Sequence, residues 1–199
     1  GVSSAASDVY KRQHKKKHIK WEGPYLGYDM GYQTSNEEIV EYLLKNKVCG
    51  IARGRAEFGP RALGNRSLLA DPRDPKIKDL INDIKHREQF RPFAPAILAE
   101  FANQYFKMSI ESTPYMQFTV PSRSFDVFPG VVHIDGTSRV QTVSKHDNPQ
   151  FRELLELWYD RTGCPMLLNT SLNIKGQPML NDHADARNWT QTYGLPVFN

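Results

Sequence analysis

Cysteine is nearly missing from this chain of 199 residues: Cys49 and Cys164 sit in separate apolar runs, far apart in sequence. Two thiols so placed exclude a disulfide framework and cannot alone hold a zinc ion. They read as reduced core residues in a reducing, cytoplasmic setting. No apolar run approaches the ~18 residues that span a bilayer, and nothing resembles a secretory signal. There is no Gly-x-Ser-x-Gly elbow, no Walker lysine loop and no Gly-x-Gly-x-x-Gly after a strand. His86, His133, His146 and His183 lack metal-ligand spacing, and His133 with Asp135 would make an incomplete site. No metal held by this chain is expected. A surplus of one charge is also lacking in the body of the chain. Residues 1–20 carry six basic residues and one acid, Asp8, for +5 of the formal +4, so the remainder sums to −1. That leader is Ser- and Ala-rich without apolar periodicity, and it reads as disordered, either native or a cloning remnant. It has no aromatic stacking pattern, which argues against a nucleic-acid partner.

What is present is concentrated in residues 54–67, Gly54-Arg55-Ala56-Glu57-Phe58-Gly59-Pro60-Arg61-Ala62-Leu63-Gly64-Asn65-Arg66-Ser67. The stretch follows an apolar run, residues 48–52. Arginine carries a planar fork of donors that pairs with phosphate oxygens. Glycine lets backbone N–H groups approach a ligand and tolerates positive φ. The combination reads as a loop built to hold an anion such as a phosphate ester; a solvated basic loop is the plainer alternative.

The rest of the body alternates helical and strand patterns. Residues 21–32 read as an extended entry. Ser35 and Glu38 have capping-box spacing, and Ile39, Tyr42 and Leu43 share a helical face up to about Asn46. Residues 48–52 and 67–70 read as strands. Asp74-Pro75 predicts an N-cap followed by proline at the first helical position, with Ile77, Leu80, Ile81 and Ile84 behind it and an end near Lys85. Residues 96–99, 115–120, 139–143 and 165–168 read as strands, residues 100–106 as a short helix. Asn148-Pro149 opens a helix that Gly163 ends, and a last helix over residues 182–193 precedes a short strand at 196–198. An α/β (α+β) domain follows, with a twisted mixed sheet flanked by helices, over residues 21–199.

Three further places can carry chemistry. Lys85 and Arg87 are two apart beyond a helix, so in an extended backbone both cations meet one ligand; capping the helix dipole is the alternative. Asn169, Thr170 and Ser171 follow a buried strand, where α/β sheets gather ligands. Their amide and hydroxyls can donate to phosphate oxygens, orient a small planar group, or simply satisfy a turn. Arg139 lies inside a strand pattern, pointing either at the site or at solvent.

These residues carry a family resemblance. Residues 54–67 resemble the Gly-Arg-x-Glu-Phe-Gly-Pro-Arg-Ala-Leu-Gly-x-Arg-Ser motif of the NodU/CmcH-type O-carbamoyltransferases. Residues 85–95 resemble their Lys-x-Arg-Glu-x-Phe-Arg-Pro-Phe-Ala-Pro block, and residues 133–141 and 167–176 resemble two more. Ala56 stands where Met is common and Leu172 where Phe is common. The resemblance covers the C-terminal domain of that family, which is similar to the YrdC/Sua5 fold. It implies that the chain binds ATP, with Mg2+ on the nucleotide, and carbamoyl phosphate, and that it forms a carbamoyl-adenylate. The carbamoyl group would then pass to a hydroxyl acceptor in a Kae1-like N-terminal domain, a metal-bearing partner that this sequence does not resemble. By the same resemblance Lys85, Arg87 and Arg139 are the catalytic candidates. Asn169, Thr170, Ser171, Arg55, Arg61 and Arg66 are candidates for binding substrate. A YrdC/Sua5-like protein that binds RNA or handles a threonylcarbamoyl group, and an inactive docking scaffold, are the alternatives.

Overall fold

The capping box closes as the sequence predicts. Ser35 Oγ accepts the Glu38 N–H, and the Glu38 carboxylate accepts the Ser35 N–H, at the start of α1 (Asn36–Asn46). Ile39, Val40 and Leu43 turn inward from that helix, and Lys47 ends it in the left-handed region. The computed structural model describes residues 22–123 and 126–199; the expected leader, residues 1–20, lies outside the described residues. Among them are five α-helices: α1, α2 (Ile77–Ile84), α3 (Ala102–Tyr105), α4 (Pro149–Thr162) and α5 (His183–Tyr193). The strands are β1 (Tyr25–Asp29), β2 (Val48–Ala52), β3 (Arg55–Glu57), β4 (Arg66–Ala70), β5 (Ala94–Leu98), β6 (Thr119–Pro121), β7 (Thr137–Arg139), β8 (Gln141–Val143), β9 (Met166–Ser171) and β10 (Val197–Phe198).

Six strands form one mixed sheet in the order β10-β2-β4-β9-β5-β8. The outer pairs β10–β2 and β5–β8 are parallel; β2–β4, β4–β9 and β9–β5 are antiparallel. The two-stranded pairs β1–β3 and β6–β7 lie outside it. β2 and β4 are buried along their whole length, which explains their nearly continuous apolar sequence. Helices α1 and α4 pack on each other, α1 also on β2 and α4 on β5 and β9. Asn148 caps α4 by accepting the Phe151 N–H, and Gly163 closes it at φ 67°. Trp158 of α4 is fully buried, and its indole donates to the Met166 carbonyl at 3.1 Å.

The register brings distant segments to one edge. Ala52 pairs with Arg66, Ser67 with Ser171, Ala94 with Asn169 and Ala96 with Gln141. At that edge β2 and β9 end while β4, β5 and β8 begin. The loops carrying Arg61, Arg87, Arg139 and Ser171 therefore meet there.

Three expectations change. The helix after Asp74-Pro75 begins at Ile77, because Asp74 Oδ1 accepts the Lys76 N–H in a turn that precedes it. The strand expected over residues 115–120 shrinks to β6, because Met116 takes φ 55° and breaks extension. Residues 139–143 are two short strands: the chain leaves its partner β6 at Arg139 and joins β5 from Gln141.

Candidate active site

The arginine–glycine loop is built around a carboxylate of its own. Glu57 ends β3, is buried, and its Oε1 accepts the backbone N–H groups of Leu63 at 2.7 Å, Asn65 at 2.7 Å and Arg66 at 3.2 Å. Burial raises the Glu57 carboxyl pKa, with these N–H groups opposing. The N–H cradle expected for an outside anion is thus filled from inside. Gly64 is needed here: its φ is 115°, and a Cβ would overlap the Phe151 ring.

Arg66 is also internal. Its guanidinium is fully buried, and Nη1 donates to the carbonyls of Arg53 (3.1 Å), Gly54 (3.1 Å) and Asn65 (2.8 Å). Nη2 donates to the carbonyls of Tyr28 (2.8 Å) and Asn181 (3.1 Å). Arg55 is exposed and donates to the Leu26 carbonyl at 3.0 Å, on the β1 side. Neither lines the cleft described next. Of the three arginines expected to contact phosphate, Arg61 lines the cleft, Arg66 is spent on carbonyl oxygens, and Arg55 gives one donor to a carbonyl on the β1 side.

That cleft, about 330 Å³, opens at the sheet edge between the Pro60-Arg61-Ala62 segment, Arg87, residues 91–94, Met116, His133, Arg139 and the end of β9. Four arginines and a histidine line it, and no aspartate or glutamate does. Among the described residues, only Arg91 of these arginines has an ion pair, with Glu88 at 3.0 Å on the exposed rim. Arg87 spends one donor, Nε to Asn82 Oδ1 at 2.8 Å, and lies 4.4 Å above the Phe93 ring. Among the described residues its Nη atoms make no hydrogen bond. Burial, and then neighbouring Arg91, lower Arg87 to about 10; burial, and then Arg139, lower Arg61. His133 bonds Thr137 Oγ1 through Nδ1 at 3.1 Å, and burial, with Arg139 adding, lowers its pKa against Asp135. Cations crowded together and short of counter-charge form a site that gains energy from an anion.

Opposite the arginines, Asn169, Thr170 and Ser171 close the cleft. Lys85 is not among the lining residues. It ends α2, and its ammonium donates to the Ser171 carbonyl at 2.5 Å and to Asn173 Oδ1 at 2.9 Å. His86 takes φ 47° between Lys85 and Arg87. Burial, then Arg87, lowers Lys85 to about 7. The structure thus gathers Arg61, Arg87, Arg139, Asn169, Thr170 and Ser171 around one cleft, joins Lys85 to it through the Ser171 carbonyl, and leaves Arg55 and Arg66 outside its lining. Sequence reasoning missed Gln141, Asn173 and the loop role of Glu57. The alternation Asn169, Ser171, Asn173 and the pair Arg139, Gln141 were the signals available. Among the described residues no three or more His, Cys, Asp or Glu side chains stand together as a metal site, and no helix is long and apolar enough to cross a membrane.

The fold and the cleft belong to an α/β domain with known relatives. The Carbamoyltransferase C-terminus family profile matches residues 40–198, and the chain belongs to that family. The nodulation protein NolNO of Sinorhizobium fredii is 48% identical over 152 residues, 74% of this chain and 22% of that protein. The uncharacterized protein MJ1058 of Methanocaldococcus jannaschii is 37% identical over 188 residues, 94% of this chain and 30% of that protein. The chain spans less than a third of the length of these curated relatives. Among solved structures, full-length HypF in its phosphate- and nucleotide-bound form aligns with TM-score 0.61 at 16% identity, over 84% of this chain and 25% of HypF. Pyrococcus-type Sua5, from P. abyssi and complexed with L-threonine, aligns with TM-score 0.54 at 13% identity, over 86% and 49%. The fold is therefore YrdC-like.

Proposed function

We propose that the cleft binds carbamoyl phosphate and ATP and forms a carbamoyl-adenylate, for transfer to a hydroxyl acceptor held by a Kae1-like N-terminal domain. The observation that carries this reading is the acid-free lining: Arg61, Arg87 and Arg139 face amide and hydroxyl groups of β9 across one cavity. Two polyanions repel each other, and three guanidiniums offset that repulsion. Arg87 and Arg139 are the catalytic residues in this account, and Arg61 helps bind phosphate. Water cleaves the O–P bond of carbamoyl phosphate to give carbamate and inorganic phosphate; a carbamate oxygen then attacks the α-phosphorus of ATP, forming the carbamoyl-adenylate as pyrophosphate leaves. Mg2+ accompanies the nucleotide. Catalysis rests on positioning and charge neutralisation, with no protein nucleophile. Lys85 acts through the Ser171 carbonyl and Asn173 Oδ1, fixing Ser171.

Two things support the reading. HypF, solved with phosphate and nucleotide, shares the fold. Phe58, Phe90 and Ile134 are 80%, 80% and 99% exposed and stand within two residues of cleft-lining positions, an apolar rim suited to a partner domain. The test is pyrophosphate release by the chain with ATP, carbamoyl phosphate and Mg2+. Release that needs both substrates and is lost in Arg139→Ala supports the proposal. Binding of both without release favours the docking scaffold, and a salt-sensitive RNA shift that survives removal of residues 1–20 favours an RNA-binding role.

A further inference from the structure

Two β9 side chains that line the cleft have already spent their protons. Ser171 Oγ donates to Asn173 Oδ1 at 2.7 Å. The Asn173 amide cannot be turned over: its nitrogen donates to the carbonyls of Ile174 at 3.1 Å and Gln177 at 3.0 Å, and its oxygen also receives the Lys85 ammonium. The two carbonyls only accept, so they hold the Asn173 nitrogen on their side and its oxygen toward Ser171. The Ser171 hydroxyl therefore keeps lone pairs, and no proton, for anything in the cleft.

Asn169 is fixed by the same logic from the other side. Gln141 Nε2 donates to the Leu63 carbonyl at 3.1 Å, so Gln141 Oε1 is the atom that faces Asn169. Asn169 Nδ2 donates to it at 2.8 Å and to the Ala62 carbonyl at 3.2 Å. Asn169 is 1% exposed, and its Oδ1 has no partner among the described residues. A buried acceptor left open is costly unless a ligand fills it. Both networks end on main-chain carbonyls, which only accept and cannot reverse their sense.

We propose that Gln141 and Asn173 are positioning residues that lock Asn169 and Ser171 as a pair of acceptors, and that this pair selects an acyl phosphate whose planar head bears an unsubstituted –NH2. The inference rests on the carbamoyl phosphate reading and sharpens it. Acceptors repel phosphate oxygens, so the phosphate lies on the arginine side and the amide head on β9. An –NH2 bonded through both hydrogens at about 2.9 Å needs acceptors about 5 Å apart. Residues 169 and 171 share a strand face, with alternate residues about 6.8 Å apart, so the longer Asn169 side chain can close the difference. A methyl head of the same shape leaves both acceptors unpaired.

Calorimetric titration of the 199-residue chain with two hydrolysis-resistant phosphonates tests this. Phosphonoacetamide carries the –NH2 head; acetonylphosphonate replaces it with methyl. Phosphonoacetamide is expected to bind about 10- to 100-fold more tightly. A preference under about tenfold overturns the inference while leaving the anion cleft intact. Failure of both phosphonates and of inorganic phosphate to bind overturns the carbamoyl phosphate reading and this inference with it. Asn173→Ala releases the Ser171 proton and should cut the preference about fivefold or more, whereas Asn173→Asp, which still accepts from both Ser171 and Lys85, should keep it. An unchanged preference in folded Asn173→Ala removes Asn173 from the proposal; the two-ligand comparison on the unaltered chain decides the selectivity even if that variant does not fold.

Discussion

Glu57→Ala removes the acceptor of three backbone N–H groups in one step. They are held at 2.7, 2.7 and 3.2 Å, and all belong to the loop that turns into β4. A buried N–H left without a partner costs about 1–2 kcal/mol, less where the bond was long or where water enters the vacated space. The loss comes to about 3–5 kcal/mol, a large part of the roughly 5–15 kcal/mol that holds a typical domain folded. For a chain of this size each kcal/mol moves Tm by about 2–4 °C, so the midpoint should fall by about 6–20 °C. The same loop places Arg61 and Ala62 in the cleft wall, so affinity for phosphonoacetamide, measured well below both midpoints, should fall about 5- to 20-fold through misplaced contacts. Glu57→Gln mimics the protonated side chain. Burial sets the folded pKa of Glu57 above its unfolded value, so this group's contribution is full below the unfolded pKa and is lost as pH rises through the folded one. The parent and Glu57→Gln should thus be close in stability in acid, and the parent should fall behind Glu57→Gln as pH rises. Circular-dichroism melts from pH 4 to 8 measure both effects. A Glu57→Ala midpoint within about 2 °C of the parent, with unchanged ligand affinity, would show that the loop N–H groups find other partners and that the carboxylate does not organise the loop.

Arg139→Ala should leave unfolding free energy within about 0.5 kcal/mol, because its side chain makes no hydrogen bond or ion pair among the described residues, yet weaken phosphonoacetamide about 10- to 100-fold by titration. Arg66→Lys replaces a five-bond fork with a point charge in a fully buried site; a loss of about 2–4 kcal/mol in denaturant unfolding is expected. Lys85, lowered to about 7 by burial and by Arg87, binds fewer protons folded than unfolded between that value and its ordinary one, so stability should rise with pH through this window and the rise should vanish in Lys85→Met. An anion in the cleft raises the Lys85 pKa again, so binding at pH 8 should take up protons, read as a heat that varies with the buffer's ionisation enthalpy, and Lys85→Met should abolish that uptake.

Local grammar made much of the fold legible. Ser35 and Glu38, Asn148-Pro149 with Gly163, and the apolar runs of β2 and β9 each carry their own start, stop or face, and each stands where those signals put it. The cleft was legible to the same depth: Arg61, Arg87, Arg139 and Asn169–Ser171 were identifiable by chemistry, and the mixed sheet brings them to one edge. What the sequence hides is who spends each donor. A guanidinium fits two phosphate oxygens as readily as a ring of carbonyls, so nothing local separates Arg61, which faces the cleft, from Arg66, which clasps five carbonyls from four stretches of chain. A cradle of backbone N–H groups likewise suits a substrate or the chain's own Glu57, and only the β1–β3 pairing, invisible inside a glycine-rich loop, decides for Glu57. Lys85 and Arg87 differ in the same respect: with His86 at φ 47° between them, Arg87 lines the cleft, while the Lys85 ammonium is spent on the Ser171 carbonyl and on Asn173 Oδ1, the oxygen that also accepts the Ser171 hydroxyl. A two-residue spacing says nothing of which cation is already spent.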